Sequence, residues 1–431
     1  MPFTKSIFAV AISTAMLAGC VTTSETAPQT ATVSKAAIID TYSDIAQATY
    51  EDSLVSAKTL QAAVNALLAA PSEATLANAR EAWLAARVPY QQSEAYRFGN
   101  AIVDDWEGKV NAWPLDEGLI DYVAGEYGED SDENPFYTAN IIANSAPVIG
   151  GTMVDARVIN KQLLGEVLHE AGEVESNVAT GYHAIEFLLW GQDLNGNNPG
   201  AGNRPATDFS LSNCTGGNCD RRRDYLSAAT ELLIDDLADM TSYWGANGAA
   251  RMELAAKDGE TAIATILTGM GSLAYGELAG ERTKLGLMLH DPEEEHDCFS
   301  DNTHNSHYYD AKGIKNVYLG EYTRIDGSVV KGPSLSALVA QASPALDAEM
   351  RGKLEATEVA MQAMVDAAEQ GNTFDVLIGA GNVKGNQLVQ NAVDALVDET
   401  DSIEAIIAEL NLDYIELEGS DSLDNPSAVE L

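Results

Sequence analysis

Positive charge is what this chain has least of. It carries 24 lysines and arginines against 66 aspartates and glutamates, a formal charge of −42. That balance excludes a nucleic-acid partner and direct adhesion to anionic lipid, since both need a cationic surface. Most of these carboxylates form a solvated face, and together they attract metal ions without choosing among them. Cysteine is scarce, with four in the chain, and so is histidine, with six. After the first twenty residues no apolar run is long enough to span a bilayer. Alternating β-branched residues are also few, which leaves little material for a sheet.

The N-terminus reads as a targeting segment, residues 1–20. Lys5 supplies the positive start, Ile7 to Leu17 is a short apolar run, and Leu17-Ala18-Gly19-Cys20 reads as a lipoprotein cleavage box. The mature chain then begins at a lipid-modified Cys20, with contact to the membrane through that lipid alone. An ordinary secretory signal is the plainer alternative. Residues 21–33, rich in Thr, Ser, Ala and Pro, read as a flexible tether. With Val21 after the cysteine, the expectation is the cell envelope, at the outer membrane facing the periplasm or the cell surface. In an oxidising compartment Cys214 and Cys219, which bracket Thr-Gly-Gly-Asn, are expected to form a disulfide. A zinc knuckle there needs two more ligands. Cys298 is left unpaired and buried.

Helical periodicity dominates the rest. Leu76, Ala79, Trp83, Ala86 and Tyr90 recur at alternating spacings of 3 and 4, and Ile263, Ile266, Met270 and Leu273 do likewise. Tyr225, Ala229, Leu232, Asp236 and Leu237 form another stripe, and Val389, Val393, Leu396, Ile403, Ile407 and Leu410 another. A strand pair is expected over Tyr318 to Val330, turning at Ile325-Asp326-Gly327-Ser328. Residues 191–220 are the best boundary between two helical halves. Residues 291–333 read as a long polar insertion, and the tail from Glu416 as acidic and disordered.

Chemistry concentrates at Gly181-Tyr182-His183-Ala184-Ile185-Glu186. On a helix His183 and Glu186 share a face, flanked by the apolar stripe Val178, Tyr182, Ile185 and Leu189. A buried carboxylate needs a partner: the histidine, an arginine or a metal ion. The bland reading is a hydrogen-bonded core pair. Two ligands do not make a zinc site, and the helix lacks the second histidine of His-Glu-x-x-His. Residues 290–307 hold His290, His296, His304 and His307 among acids, a metal-binding composition that also suits a self-capping polar loop. Gly269, Gly271, Gly276, Gly280 and Gly286 imply a close neighbour for the segment carrying Glu277, Glu281 and Arg282. Arg80, Arg87 and Arg97 read as internal charge partners. No Ser-His-Asp or Cys-His arrangement emerges, and Gly379-Ala380-Gly381-Asn382 follows no strand.

The Gly-x-His-x-x-Glu segment resembles the signature of the imelysin family. So do Ala79 to Tyr90 followed by Ser93 to Gly99, and Asn111 to Leu115 with Ile120-Asp121-Tyr122. Glu277 to Arg282 and Glu295 to His304 resemble the family's iron-regulated branch. The resemblance implies an all-α fold of two packed helical bundles with a short β-hairpin insertion. The expected halves are residues 34–205, carrying the motif, and 206–415, followed by the tail 416–431. It further implies an envelope protein tied to a divalent or ferric metal ion, iron first and zinc as the alternative. His183 and Glu186 would be ligands, with Glu94 or Glu281 completing an oxygen-rich site. The runner-up is a metallopeptidase in which Glu186 activates water. A third reading is a structural lipoprotein that binds an envelope partner and no metal.

Overall fold

The computed structural model describes residues 33–128, 131, 134–149, 151–413 and 415–429. The targeting segment, Cys20 and the tether up to residue 32 lie outside them. Residues 33–431 form one compact unit.

Helices α1 (Lys35–Ala69) and α2 (Glu73–Gln91) form an antiparallel pair, and α3 (Ala101–Asn111) follows. Between α1 and α2 the chain turns at Ser72, whose hydroxyl accepts the Thr75 N–H while Thr75 answers the Ser72 N–H. This reciprocal cap fixes where α2 starts. The α2 stripe is as the periodicity predicts: Leu76, Ala79, Trp83, Ala86 and Tyr90 are all buried. Helix α4 (Gly181–Trp190) lies against α2, α3 and α5 (Cys219–Trp244), and α5 packs along α1. Helix α5 thus falls after the expected boundary at 205 and packs on helices before it. Its buried face is Leu226, Leu233, Leu237, Met240 and Trp244 beside Tyr225 and Ala229, while Leu232 and Asp236 are half-buried.

A second group of helices follows. After α6 (Ala249–Ala256), helix α7 (Gly259–Ser272) runs into a π-helical segment (Leu273–Lys284) and then α8 (Leu285–Leu289). Helix α9 (Thr303–Leu319) precedes α10 (Leu335–Ala342), α11 (Pro344–Ala368), α12 (Phe374–Ile378) and α13 (Val383–Glu409). Helix α11 packs on α9 and α13, and α13 packs on the π segment. The two groups meet where α2 touches α9 and α1 touches α7. Strands are minor: β1 (Val148–Ile149) pairs with β2 (Thr152–Met153), and β3 (Glu321–Thr323) pairs with β4 (Val329–Lys331), both antiparallel. The second ribbon is the expected hairpin, although Tyr318 itself lies in the last turn of α9.

Two expectations change. The polar stretch 291–333 contains α9, whose buried face begins Thr303, Ser306, His307, Asp310 and only later becomes apolar at Ile314 and Val317. Apolar periodicity cannot find a helix that buries polar side chains. The tail docks along the π segment and forms α14 (Asp421–Asp424). There Glu418 N–H donates to the Ser272 hydroxyl at 3.0 Å, and the Ser422 hydroxyl donates to the Gly280 carbonyl at 3.0 Å. The tail explains Gly276 and Gly280: a Cβ on either would stand 2.5 Å from the Glu418 carbonyl oxygen or 2.2 Å from the Ser420 Cβ. Cys214 and Cys219 are disulfide-bonded, and Cys298 pairs with no described cysteine and is half-buried. Among the described residues no helix is long and apolar enough to cross a membrane.

Candidate metal centre

Helix α4 is apolar on all sides, and every residue in it is buried. Its histidine and its glutamate must therefore find partners inside the protein. The chain enters α4 at Gly181 with φ +77, where a Cβ would stand 2.4 Å from the Val110 carbonyl oxygen. Only glycine permits both, so the first residue of the motif has a steric role, seating α4 against α3. The Thr180 hydroxyl donates to the Lys109 carbonyl at 2.8 Å, Trp83 Nε1 donates to the Tyr182 carbonyl at 3.0 Å, and Arg80 donates to the Leu189 carbonyl at 2.9 Å. The helix is thereby pinned at both ends.

His183 Nδ1 and Glu186 Oε2 lie 3.0 Å apart. Glu186 Oε1 accepts the Ser300 N–H at 2.9 Å and the Ser300 hydroxyl at 2.6 Å. Burial, and then the charge of Asp297, push the Glu186 carboxyl well above its usual range. Burial, and then Arg87, hold the His183 imidazole down at about 3. His183 Nε2 has no hydrogen-bond partner among the described residues.

The loop before α9 brings His296 and Asp297 to this helix. Asp297 Oδ1 is 2.7 Å from Arg87 Nη2, 3.7 Å from His296 Nδ1 and 3.9 Å from His183 Nδ1. Its Oδ2 accepts Asn302 Nδ2 at 2.8 Å and the Ser306 hydroxyl. Burial alone would raise this carboxyl, but Arg87 and His183 outweigh it and leave it below the usual range. The His296 ring centre is 4.8 Å from that of His183. Burial, then Arg282, keep His296 neutral, and its Nδ1 has no hydrogen-bond partner among the described residues. His183, His296 and Asp297 each bring a ligand atom within 4.8 Å of the others.

Two neutral imidazoles with unpartnered nitrogens and one ionised carboxylate fit a metal ion. Such a set suits iron(II) with positions left open, and zinc accepts it as well. Arg87 offsets one carboxylate charge, which separates this centre from the all-oxygen cages that hold calcium. A cleft of about 280 Å³ lined by Arg87, Gln91, Asn302, Ser306 and Tyr309 lies beside it.

Of the groups expected from sequence, the structure brings together His183 and Glu186, but not Glu94 or Glu281. Glu94 is held 2.9 Å from Arg282 Nη2, which also lies 2.6 Å from Glu277, while Arg282 Nη1 lies 3.2 Å from Asp310. A fixed guanidinium claims that carboxylate. Glu281 is half-buried and acts on Glu294. Both lie outside the ligand clusters found among the described residues. His296 and Asp297 stand in their place; the dense His and acid composition of 290–307 was the signal for them. Arg87 and Arg97 are internal charge partners as expected, Arg97 through Asp104 and Glu107, whereas Arg80 serves backbone carbonyls. His290 contacts the Ile378 carbonyl at 2.6 Å, away from the cluster.

His307 borders the centre, 3.3 Å from the Thr283 hydroxyl, with burial and then Arg282 holding it at about 3. An unfolded histidine titrates near 6.5. Between these values the unfolded chain binds a proton that the folded one refuses, so stability falls as pH drops from about 6.5 towards 3. His307→Gln removes that loss. The stability advantage of wild type over the variant should shrink by about 1.4 kcal/mol per pH unit between roughly pH 6 and 4. Denaturant melts across this range check it; a constant difference would mean that folded His307 takes up the proton.

The family profile described as Imelysin matches residues 46–403. The iron-regulated protein A of Synechococcus elongatus is 31% identical over 75 residues, covering 17% of this chain and 21% of that protein. The match thus spans about a fifth of that relative. A crystal structure described as that of an iron-regulated protein A precursor from Parabacteroides distasonis is similar with a TM-score of 0.62 at 20% identity, covering 88% of this chain and 97% of that one. At that identity the likeness is one of fold.

Proposed function

This chain belongs to the imelysin family, and from that premise we propose that it is a metal-binding protein of the bacterial envelope that serves iron acquisition. The observation that carries the reading is the gathering of two buried imidazoles around Asp297, each ring keeping one nitrogen with no hydrogen-bond partner among the described residues. His183, His296 and Asp297 would hold the ion. Glu186, accepting from Ser300 and facing His183 Nδ1, would fix the ring so that Nε2 presents its lone pair. The names of the two similar proteins, each an iron-regulated protein A, favour iron over zinc. Glu186 has both oxygens engaged, which favours a binder over a peptidase that needs a carboxylate free to activate water. Cys20 would carry the lipid that holds the protein at the outer membrane, with no other membrane contact.

One preparation tests these points together. Full-length chain and Cys20→Ser, expressed in a bacterium with an outer membrane and purified without chelators, are compared. Wild type should fractionate with membrane and carry one iron per chain, and Cys20→Ser should lose the membrane fraction. An unchanged membrane fraction would refute lipid anchoring. Chelator-sensitive cleavage of unfolded protein that vanishes in Glu186→Gln would replace the binding role with the peptidase.

A further inference from the structure

Away from the imidazole centre, Asp193, Asp301 and Asp375 each bring a carboxylate oxygen within 4.8 Å of the others. They come from three segments: the loop after α4, the loop before α9 and the first turn of α12. Asp301 and Asp375 are buried, at 7% and 0% exposure. Among the described residues neither oxygen of Asp375 completes a hydrogen bond, nor does Asp301 Oδ1. The Thr373 hydroxyl and Val376 N–H lie near enough to favour the Asp375 charge, and no more.

Proteins rarely bury carboxylates this way, because an unsatisfied charge is costly and like charges repel. The surroundings relieve it only in part, the Gly200 N–H favouring the Asp301 charge. Burial, and then Asp375 and Asp193, push the Asp301 carboxyl up to about 7. Glu295, buried nearby, adds a further carboxylate with Oε1 unpartnered among the described residues. Yet the site is built. Asn195 N–H and Nδ2 donate to Asp193 Oδ1 at 2.9 and 2.6 Å, which orients that carboxylate. Asn197 Nδ2 donates to the Asp375 carbonyl at 2.9 Å, tying the loop to α12. Asp301 holds a φ of +56, a conformation that non-glycine residues seldom adopt.

We propose that Asp193, Asp301 and Asp375 form a second metal site, for a hard divalent cation of the calcium class. All three donors are oxygens with no imidazole among them, the opposite of the His183 centre. Calcium–oxygen bonds of about 2.3–2.6 Å place opposed ligands about 4.6–5.2 Å apart, whereas magnesium draws them to about 4.2 Å. Three carboxylates drawn from separate segments suit the larger, more flexible calcium shell better than magnesium's strict octahedron, which keeps most of its waters. Asp301 stands four residues beyond Asp297, so the loop that serves the imidazole centre also serves this one. The cation would hold that loop in place. The inference stands whether or not the imidazole centre takes iron.

The test is calorimetric titration of the chelator-stripped full chain with calcium chloride at 150 mM sodium chloride, which screens the diffuse acidic surface. Wild type should show one saturable site and a raised melting temperature. His183→Ala should keep that site, and Asp193→Asn and Asp375→Asn should weaken it at least tenfold. Asp193→Asn is the safer variant, since that residue is only half-buried. No saturation of wild type up to 10 mM calcium, or wild-type affinity in both Asn variants, would overturn the proposal. Loss of the site in His183→Ala would deny that the two centres are separate, and saturation by magnesium but not calcium would overturn the choice of ion.

Discussion

Arg282→Gln is expected to lower the melting temperature by roughly 5 °C. Arg282 lies on the π segment and is buried with Glu94, Glu277 and Asp310 gathered on its guanidinium. The burial cost of Arg282 is outweighed first by Glu277, then by Glu94 and Asp310, which hold its charge firmly. Without it, two fully buried carboxylates lose their counter-charge, and such breakage costs about 3–5 kcal/mol. At about 2.1 cal/mol/K per residue of unfolding entropy, each kcal/mol is worth roughly 1.2 °C in a folded unit of about 400 residues. Adding Glu94→Gln and Asp310→Asn should restore much of the loss, because the stranded charges go with it. Calorimetric melts of the single and triple variants check this. A single variant melting within a degree of wild type would mean that the carboxylates do not depend on Arg282.

Asp297→Asn should weaken iron binding at least a hundredfold, about 2.7 kcal/mol. Asp297 is the one carboxylate that faces both His183 and His296. An amide of the same shape cannot supply the negative charge a metal draws on. The same change strands Arg87, whose partner it is at 2.7 Å, so the variant also loses stability. His296→Ala separates the two effects, removing a ligand nitrogen without touching Arg87. Glu186→Gln, which alters orientation and not ligation, should cost about tenfold. Competition against a metal-sensitive dye yields all three constants. Equal losses for Glu186→Gln and Asp297→Asn would place Glu186 among the ligands.

The parts of the site readable in sequence are those where polar residues interrupt an apolar helix. His183 and Glu186 stand out because α4 is otherwise apolar, and the Trp83 stripe is plain because α2 buries one face and exposes the other. Helix α9 was hidden for the opposite reason. It buries Ser306, His307 and Asp310, so its inward face looks like a solvated one. His296 and Asp297 lie on a loop, where no periodicity marks which side chains point inward. Local spacing makes Glu94 a plausible ligand, but Arg282 claims its carboxylate. A pairing between residues 188 positions apart leaves no trace in local spacing. The tail likewise reads as disordered by composition, and only the glycines of the π segment, which need a close neighbour, announce that something docks there.

The central claim is that His183, His296 and Asp297 hold a metal ion. Anomalous diffraction at the iron edge, from crystals of the full chain purified without chelators, tests it most directly. The account predicts one strong peak in contact with His183 Nε2, a nitrogen of His296 and the Asp297 carboxylate. A fully occupied protein with its metal elsewhere, or iron-replete crystals with no peak between these three side chains, would contradict it.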